Sequence, residues 1–395
     1  MRPMRVLITD GDNRAALAIT RSLGRAGHHI VVGERRTPSL AQTSRYCAGR
    51  AIYPDPSADA GAFIASLLET VRRERIDVLL PVTDITTILV TEHRAAFEAH
   101  CRLPVADAAA VATAADKVAI LQTAQKLGVP TPATVLLEHG DDPVAHSASL
   151  SWPIVVKSRR SRLRTPAGWV SCSVGYARTP DELRRLAAAT PAEGYPLILQ
   201  ERLEGEGLGV FMCYKRGTCV AVFSHRRLRE KPPSGGVSVL SESVPVREDA
   251  REYAKRLLDH LGWQGIAMVE FKRDSRDDVP RLMEINGRFW GSLQLAIDAG
   301  VDFPAILLET LDDAPARPIP TYRYGVRNRW LLGDFDALLL RVRGSRVAGG
   351  PGRLRAIAAF LLPWQPGMHY ENPRFSDLRP WWYEARLWIR NLAGR

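Results

Sequence analysis

The sequence has few cysteines, and none of them stands in a pattern typical of a metal site or a disulfide framework. The five form an odd, scattered set without a Cys-x-x-Cys pair: Cys47, Cys101, Cys172, Cys213 and Cys219. Such a set argues against structural zinc and favours a reducing compartment.

Long hydrophobic runs are also missing. No uninterrupted apolar stretch approaches the roughly 20 residues needed to span a bilayer. An apolar strand-like run begins as early as Arg5, which leaves no room for a signal peptide. We therefore expect a cytoplasmic protein without a transmembrane segment.

The glycine pattern of dinucleotide-binding sites is a third missing feature. The turn after the first strand-like run reads Asp10-Gly11-Asp12-Asn13 rather than Gly-x-Gly-x-x-Gly. Those glycines are what permit a pyrophosphate to approach the backbone closely, so we expect no dinucleotide site here. Strand-like and helix-like runs nevertheless alternate as far as His100, which predicts a parallel-sheet α/β domain.

Asp84 lies in the predicted loop Thr83–Thr87, directly after a predicted parallel strand. Ligands of such sheets bind at the carboxyl ends of the strands, which makes Asp84 a candidate substrate contact. Thr and Asp are also ordinary helix caps, and both interpretations stay open.

Negative charge is in short supply. Lys and Arg number 54 against 43 Asp and Glu, giving a net charge of +11. A basic chain suggests anionic partners, such as nucleotides, phosphorylated substrates, nucleic acid or anionic lipid, without choosing among them. The length of 395 residues and the 46% hydrophobic content predict two or three globular domains.

The most informative stretch that is present runs from Glu270 to Arg288. Two apolar runs, Gly265–Phe271 and Pro280–Ile285, flank a polar segment and predict an antiparallel hairpin. Residues two apart in a strand share a face, so Glu284 and Asn286 point the same way. The hairpin brings Glu270 opposite them.

Two carboxylates and an amide oxygen form a ligand set suited to a hard cation such as Mg²⁺. Arg288 follows on the same face, where positive charge would assist a transferring phosphoryl group. The alternative is an edge strand whose acids face solvent or pair with arginines.

Two lysines upstream are candidate phosphate ligands. Asp116-Lys117 opens a predicted helix, and a lysine is electrostatically unfavourable at a helix N-terminus, which makes a phosphate contact plausible for Lys117. Lys157 ends the apolar run Ile154–Val156, where a lysine usually only brings its charge to the surface.

Taken in order, Lys117, Lys157, Glu201-x-Leu203, Glu270 and Glu284-x-Asn286-x-Arg288 resemble the signature of the ATP-grasp superfamily. That superfamily includes biotin carboxylase, the large subunit of carbamoyl-phosphate synthetase and D-alanine–D-alanine ligase. The nearest likeness is to carbamoyl-phosphate-synthetase-like carboxylate–amine ligases.

The resemblance implies a mixed α/β and α+β fold. Two α+β subdomains of the ATP-grasp fold would grip ATP, preceded by a small parallel-sheet α/β domain. The expected divisions are 1–112 for the first domain, 113–312 for the ATP-grasp domain and 313–395 for a helical, aromatic-rich extension.

The resemblance also implies roles for individual residues. Glu270, Glu284 and Asn286 would hold Mg²⁺ (or Mn²⁺), while Lys117, Lys157 and Arg288 would neutralise the phosphates of ATP. Glu201 and Leu203 would offer backbone groups to the adenine. Glu206 would bind the ribose, with Glu204 as its competitor.

The implied activity is ATP-dependent ligation of a small-molecule carboxylate to an amine (or thiol) through an acyl phosphate, with release of ADP and phosphate. A non-catalytic ATP-binding regulator is the alternative. A nucleic-acid binder is weaker, because no aromatic side chains alternate with the arginines of His225–Gly236 as stacking platforms. A homodimer stays open.

One segment departs from the family. The expected glycine-rich phosphate loop is replaced by Ser158–Arg164, which contains four arginines. These either contact an anion through their side chains or form a mobile, solvated loop. The variable segments Arg159–Trp169 and His225–Gly236, the second expected as a long polar loop, supply further candidate substrate contacts: Arg159, His225, Arg227, Lys231, Gly235 and Gly236. His225 alone is also compatible with a structural role.

The C-terminal segment combines basic residues with clustered aromatics, Trp381-Trp382-Tyr383 and Trp388. We expect it to pack against the catalytic domain, since aromatic side chains dominate ordinary cores. Peripheral contact with a membrane surface is the alternative.

Overall fold

A computed structural model of the protein describes residues 2–165, 168–233, 236–315, 320–343, 352–362 and 367–393. The strands, numbered in chain order, are β1 Arg5–Ile8, β2 His29–Glu34, β3 Cys47–Ile52, β4 Val78–Leu80, β5 Thr134–Leu137, β6 Ile154–Lys157, β7 Arg162–Thr165, β8 Gly168–Ser171, β9 Gly175–Ala177, β10 Leu197–Glu201, β11 Gly207–Lys215, β12 Thr218–Lys231, β13 Val237–Ser243, β14 Gly265–Arg273, β15 Pro280–Asn286, β16 Arg327–Arg329 and β17 Met368–Tyr370. The helices are α1 Arg14–Arg25, α2 Ala60–Arg73, α3 Asp84–Glu92, α4 Arg94–Glu98, α5 Ala108–Ala115, α6 Lys117–Lys126, α7 Pro143–His146, α8 Pro180–Ala188, α9 Glu248–His260, α10 Leu293–Ala299, α11 Phe303–Glu309, α12 Leu331–Val342, α13 Arg353–Leu361 and α14 Arg379–Ala393.

The N-terminal part of the chain forms a four-stranded sheet in the order β3-β2-β1-β4, and every strand pair in it is parallel. Val6 and Ile8 of β1 belong to one hydrophobic core, while Leu7 belongs to another. Both faces of the sheet are therefore buried, which explains why its strands are continuous apolar runs. The predicted parallel sheet is confirmed.

We expected the segment Thr83–Thr87 to be a loop, and that expectation was wrong: the segment forms the start of α3. Thr83 is the N-cap: its side chain accepts the Thr86 backbone N–H, and the Thr86 side chain accepts the Thr83 N–H. This reciprocal capping box satisfies two free donors at the helix start. Asp84 consequently occupies the first helical position, at the carboxyl edge of the parallel sheet.

The centre of the chain forms two antiparallel sheets. The smaller has the order β5-β10-β6-β9, and the larger begins β15-β14-β11-β12-β13. The predicted hairpin is confirmed as β14 and β15, in which Glu270 lies directly opposite Glu284. A register shift after Glu270 accompanies this pairing.

Both basic segments that we expected as loops contain regular structure, so that expectation was wrong. β12 continues as far as Lys231, and Arg162–Thr165 pairs with Gly168–Ser171 as a separate hairpin. In β12, Arg226 lies opposite Glu242 of β13, and their side chains form an ion pair of 2.6 Å. Such cross-strand charge pairs allow a sequence of low strand propensity to stay in a sheet.

The C-terminal region packs against the rest of the chain, as expected. β16 pairs with β13, and β17 pairs with β16, which extends the large sheet to seven strands. Arg21 of α1, which is 3% exposed, donates to Asp377 and to the carbonyl oxygens of Glu371 and Asn372. Within the described ranges, no helix is both long and apolar enough to cross a membrane.

The backbone at Gly205, between β10 and β11, is tightly constrained. Its φ is +143°, and a Cβ atom there would lie 1.7 Å from the carbonyl oxygen of Arg273. We expect Gly205→Ala to destabilise the protein by at least about 1–3 kcal/mol, because strain and overlap with the backbone act together. Urea unfolding monitored by circular dichroism measures the effect.

Gly207→Ala is the matched control, because no heavy atom lies within 4 Å of the Cβ position at Gly207. Its unfolding curve should stay within about 0.5 kcal/mol of the parent protein. Equal midpoints for the two variants would contradict the geometry described for Gly205.

Candidate functional site

The site is built on two carboxylates that face each other across the β14–β15 hairpin. Glu270 and Glu284 are register partners, and we refer to them as the acid pair. The Asn286 side chain, two residues along β15, donates its amide to Glu284 at 3.0 Å. The three oxygen-bearing groups thus lie together, as the alternation of side chains predicts.

Arg288 continues this cluster beyond the end of β15. Its Nη2 donates to Asn286 Oδ1 at 3.3 Å, and its Nε donates to Asp84 Oδ1 at 2.7 Å. Asp84 belongs to α3, so the ion pair joins the parallel-sheet part of the chain to the hairpin. The guanidinium is thereby fixed in orientation by groups from two sides.

Lys117 reaches the acid pair from the first turn of α6. Its Nζ lies 3.5 Å from Glu284 Oε2 and donates to Ser161 Oγ at 2.6 Å. The buried carboxylate of Asp116 caps α6 by accepting the N–H groups of Val118 and Ala119. This cap sets the direction of the helix start and therefore the position of Lys117.

Lys157 ends β6 and is 8% exposed. Its Nζ donates to Gln200 Oε1 at 2.8 Å, and Gln200 in turn donates to Thr134 Oγ1. Burial lowers the pKa of Lys157 to about 8, although the charges of Glu284 and Glu270 partly oppose this shift. A lysine with this pKa changes charge near neutral pH.

The two facing carboxylates have opposite pKa shifts. Burial raises the pKa of Glu270, despite the Arg227 guanidinium that donates to its Oε2 at 2.6 Å. Burial also disfavours the ionised form of Glu284, but Lys117, Asn286, Lys157 and Arg288 outweigh it and lower the pKa of that carboxyl. Like charges this close need compensation by cations.

A cavity of about 240 Å³ opens beside this cluster. Lys117, Glu284 and Arg288 form part of its wall, and Arg160 and Arg162 also line it. Small-molecule sites usually measure roughly 300–1,000 Å³. The cavity is therefore smaller than most small-molecule sites.

The donor set fits a hard divalent cation. Its ligand atoms are carboxylate and amide oxygens, the type that Mg²⁺ prefers, and the pair of facing carboxylates needs added positive charge. Within the described residues, no group of three or more His, Cys, Asp or Glu side chains is placed to hold a metal. The third oxygen ligand here would have to come from the amide of Asn286.

The residues expected at the adenine and ribose lie together near the β14–β15 turn. Glu201 accepts the Ala133 N–H at 2.9 Å and pairs with Arg276 at 3.0 Å. Leu203 is 4% exposed. Glu206 lies 3.5 Å from Arg273. Their roles toward a nucleotide stay predictions.

The expected substrate contacts are spread more widely. Arg159 pairs with Asp116 at 2.5 Å, and Lys231 contacts Asp336 of α12. His225 is 1% exposed, shares a 2.8 Å hydrogen bond with Ser292 and has a pKa lowered to about 3 by burial. Among the candidates that the structure describes, only Arg227 touches the acid pair directly.

Gly235 and Gly236 were also expected as substrate contacts. Gly235 lies outside the described residues. Gly236 immediately precedes β13, and a Cβ atom there would lie 2.3 Å from the Lys231 carbonyl oxygen. That close approach accounts for glycine at position 236 without a ligand.

Sequence reasoning missed several residues of the site. Gln200 holds Lys157, and Ser161 holds Lys117. Gln200 was accessible to a pattern argument, because it is a polar residue within the apolar strand β10 and must find a buried partner. No sequence signal pairs Ser161 with Lys117, since they lie 44 residues apart.

The chain was compared with known proteins. Residues 193–333 match the model of a family described as ATP-grasp in the biosynthetic pathway with Ter operon. This stretch includes Glu201, Glu270 and Glu284-x-Asn286-x-Arg288, whereas the two lysines precede it. No curated protein sequence matches the chain.

Solved structures share the architecture at low sequence identity. The L-amino acid ligase from Bacillus licheniformis is 17% identical with a TM-score of 0.60, over 80% of this chain and 78% of that one. The ADP complex of PurK, an N5-carboxyaminoimidazole ribonucleotide synthetase, is 15% identical with a TM-score of 0.64, over 92% and 97%. The biotin carboxylase domain of 2-oxoglutarate carboxylase from Hydrogenobacter thermophilus, bound to MgADP, is 13% identical with a TM-score of 0.64, over 83% and 74%.

At these identities the structural likeness establishes the fold, and the predicted fold class is confirmed. The partial family match covers the hairpin that carries the acid pair. Residues 193–333 are therefore similar to an ATP-grasp family, and the fold is shared with the solved structures named above.

Proposed function

We propose that the protein is an ATP-dependent ligase that joins a carboxylate to an amine (or a thiol), forming an acyl phosphate and releasing ADP and phosphate. The observation that supports this most strongly is the convergence of Lys117, Lys157 and Arg288 on the Glu270–Glu284 pair. Cations and oxygen ligands gathered in one cleft are what phosphoryl transfer requires.

The proposed chemistry has two steps. In the first, a substrate carboxylate oxygen bonds to the γ-phosphorus of ATP while the bond from that phosphorus to ADP breaks. In the second, an amine nitrogen bonds to the acyl carbon, the bond from that carbon to phosphate breaks, and the nitrogen loses a proton. Neither step needs a covalent bond to a side chain, so the protein contributes position and charge.

We assign the roles as follows. Lys117 and Lys157 bind the phosphates, and Arg288, oriented by Asp84, stabilises the transferring group. Glu270, Glu284 and Asn286 would hold Mg²⁺ (or Mn²⁺), which when bound neutralises phosphate charge. By family likeness we place the adenine at the backbone of Glu201 and Leu203 and the ribose at Glu206.

The names of the structural neighbours support the reaction class. One is an amino acid ligase, one is a ribonucleotide synthetase solved with ADP, and one is a biotin carboxylase domain solved with MgADP. A non-catalytic ATP-binding protein is the competing function. It predicts nucleotide binding without carboxylate-dependent release of ADP, so a screen with pooled carboxylates and amines separates the two.

Glu284→Gln tests the acid pair. The substitution keeps the size of the side chain but removes its charge, so we expect carboxylate-dependent ADP release to fall by roughly a hundredfold or more. Glu69→Gln on α2, where the side chain is 74% exposed, is the control and should retain the parent rate. A full rate in a folded Glu284→Gln protein would refute the catalytic assignment.

The pKa of Lys157 predicts a pH dependence of nucleotide binding. Because the pKa is lowered to about 8, the ammonium is charged below that pH and neutral above it. Affinity for ADP should therefore fall as pH rises from about 7 to about 9, by up to about tenfold per pH unit above the pKa, since binding favours the protonated lysine.

Calorimetric titrations across this range measure the effect. Lys157→Gln should bind ADP more weakly at every pH and show a flatter profile. Lys126→Gln, at the exposed end of α6, should keep the parent profile. A parent profile that does not change through pH 8 would remove Lys157 from the phosphate site.

A further inference from the structure

A second cavity, of about 330 Å³, lies between the end of β12 and the helices α12 and α13. We refer to it as the β12–α13 cavity. Its charged wall includes three arginines, Arg227, Arg229 and Arg341, and two acids, Glu230 and Asp334. Its apolar wall includes Ala337, Leu338 and Phe360. A volume of this size lies at the lower end of the range for small-molecule sites, roughly 300–1,000 Å³.

The three arginines of this wall outnumber its two carboxylates, and Arg227 is already paired with Glu230 and Glu270. Arg229 Nη2 lies 2.7 Å from Asp334 Oδ2, and Arg329 Nε donates to the same oxygen at 2.6 Å. One carboxylate, 2% exposed, therefore serves two guanidiniums. Arg341 adds a third cation, which makes no ion pair within the part of the chain that the structure describes.

Arg229 also retains an unused donor. Its Nε is buried and has no hydrogen-bond partner among the described residues. Burial lowers the pKa of this guanidinium; Asp334 opposes the shift, and Arg329 and Arg341 add to it. An unpartnered buried donor is costly, so this guanidinium is incompletely stabilised by the protein itself.

The cavity adjoins the candidate active site. Arg227 forms part of its wall, and Arg227 Nη2 donates to Glu270 Oε2 at 2.6 Å. Glu270 in turn faces Glu284 across the hairpin. A carboxylate held at the cationic end of the cavity would therefore lie near the acid pair, while the rest of the molecule would contact α12 and α13.

We propose that the β12–α13 cavity binds the carboxylate substrate, and that this substrate is a monocarboxylate with an apolar body. Its carboxylate lies at Arg229 and Arg341, and its apolar part lies against α12 and α13. The proposal rests on the proposed ligase function. Most of α12 and all of α13 follow residue 333, where the family match ends, so this wall belongs to the part of the chain outside that match.

Two neighbouring alanines of α13 provide a matched test. Ala359 lines the cavity, Ala358 does not, and both are exposed. Ala359→Phe should weaken binding of phenylpropionate at least tenfold by filling the cavity, whereas Ala358→Phe should bind it like the parent protein. Affinity for ADP should be unchanged in both variants, which shows that the nucleotide site is intact.

The charge of the cavity is tested by a second matched pair. Arg341→Gln should weaken phenylpropionate and hexanoate binding roughly tenfold, because a charge-assisted contact is lost. Arg343→Gln, whose exposed side chain does not line the cavity, is the control. In the parent protein, affinity should rise about threefold per methylene from acetate to hexanoate.

Calorimetric binding and ADP release together separate this proposal from the ligase assignment. If phenylpropionate binds and Ala359→Phe prevents it, while no carboxylate supports ADP release, the cavity binds a monocarboxylate but the ligase assignment fails, and with it the role of that carboxylate as substrate. If carboxylates stimulate ADP release equally in the parent, Ala359→Phe and Arg341→Gln proteins, the ligase assignment holds and the cavity proposal is wrong. Failure of hexanoate and phenylpropionate to bind, with or without MgADP, also overturns the cavity proposal.

Discussion

The facing carboxylates of Glu270 and Glu284 are the constraint on which the rest of the site depends. A hairpin register fixes them opposite each other, and two partly buried negative charges at that separation are unfavourable unless cations compensate them. The compensation comes from Arg227 of β12, Lys117 of α6 and Lys157 of β6. Segments far apart in sequence are thus held at one point by electrostatics as well as by packing.

The parallel sheet influences the site through the N-terminus of α3. Asp10, at the end of β1, accepts hydrogen bonds from the Thr83 N–H and the Thr86 hydroxyl. These contacts reinforce the cap of α3, and the cap sets the position of Asp84, which holds Arg288. The orientation of Arg288 therefore depends on residues of the parallel sheet that do not touch the acid pair.

How much of the structure could be predicted from the sequence depends on how far apart in the chain the interacting residues lie. The β14–β15 hairpin and the shared face of Glu284 and Asn286 followed from side-chain alternation, which is a local property. The continuation of β12 through Arg226 did not, because it depends on tertiary pairing with β13, where Glu242 lies opposite Arg226. Contacts such as Lys117 with Ser161 depend on tertiary structure and leave no local pattern.

The basic composition shows how a global property can mislead when it is applied to a site. A net charge of +11 suggests an anionic partner, yet many arginines are engaged within the protein. Arg21 is buried against Asp377, and Arg374 pairs with Asp298 at 2.5 Å. Such pairs hold the C-terminal region to the rest of the chain and carry no information about ligands. The cations that are informative about ligands are of two kinds. Some share a single carboxylate, as the two guanidiniums at Asp334 do, and others point toward the acid pair, as Lys117 does. Local imbalance, rather than total charge, identifies where an anion would bind.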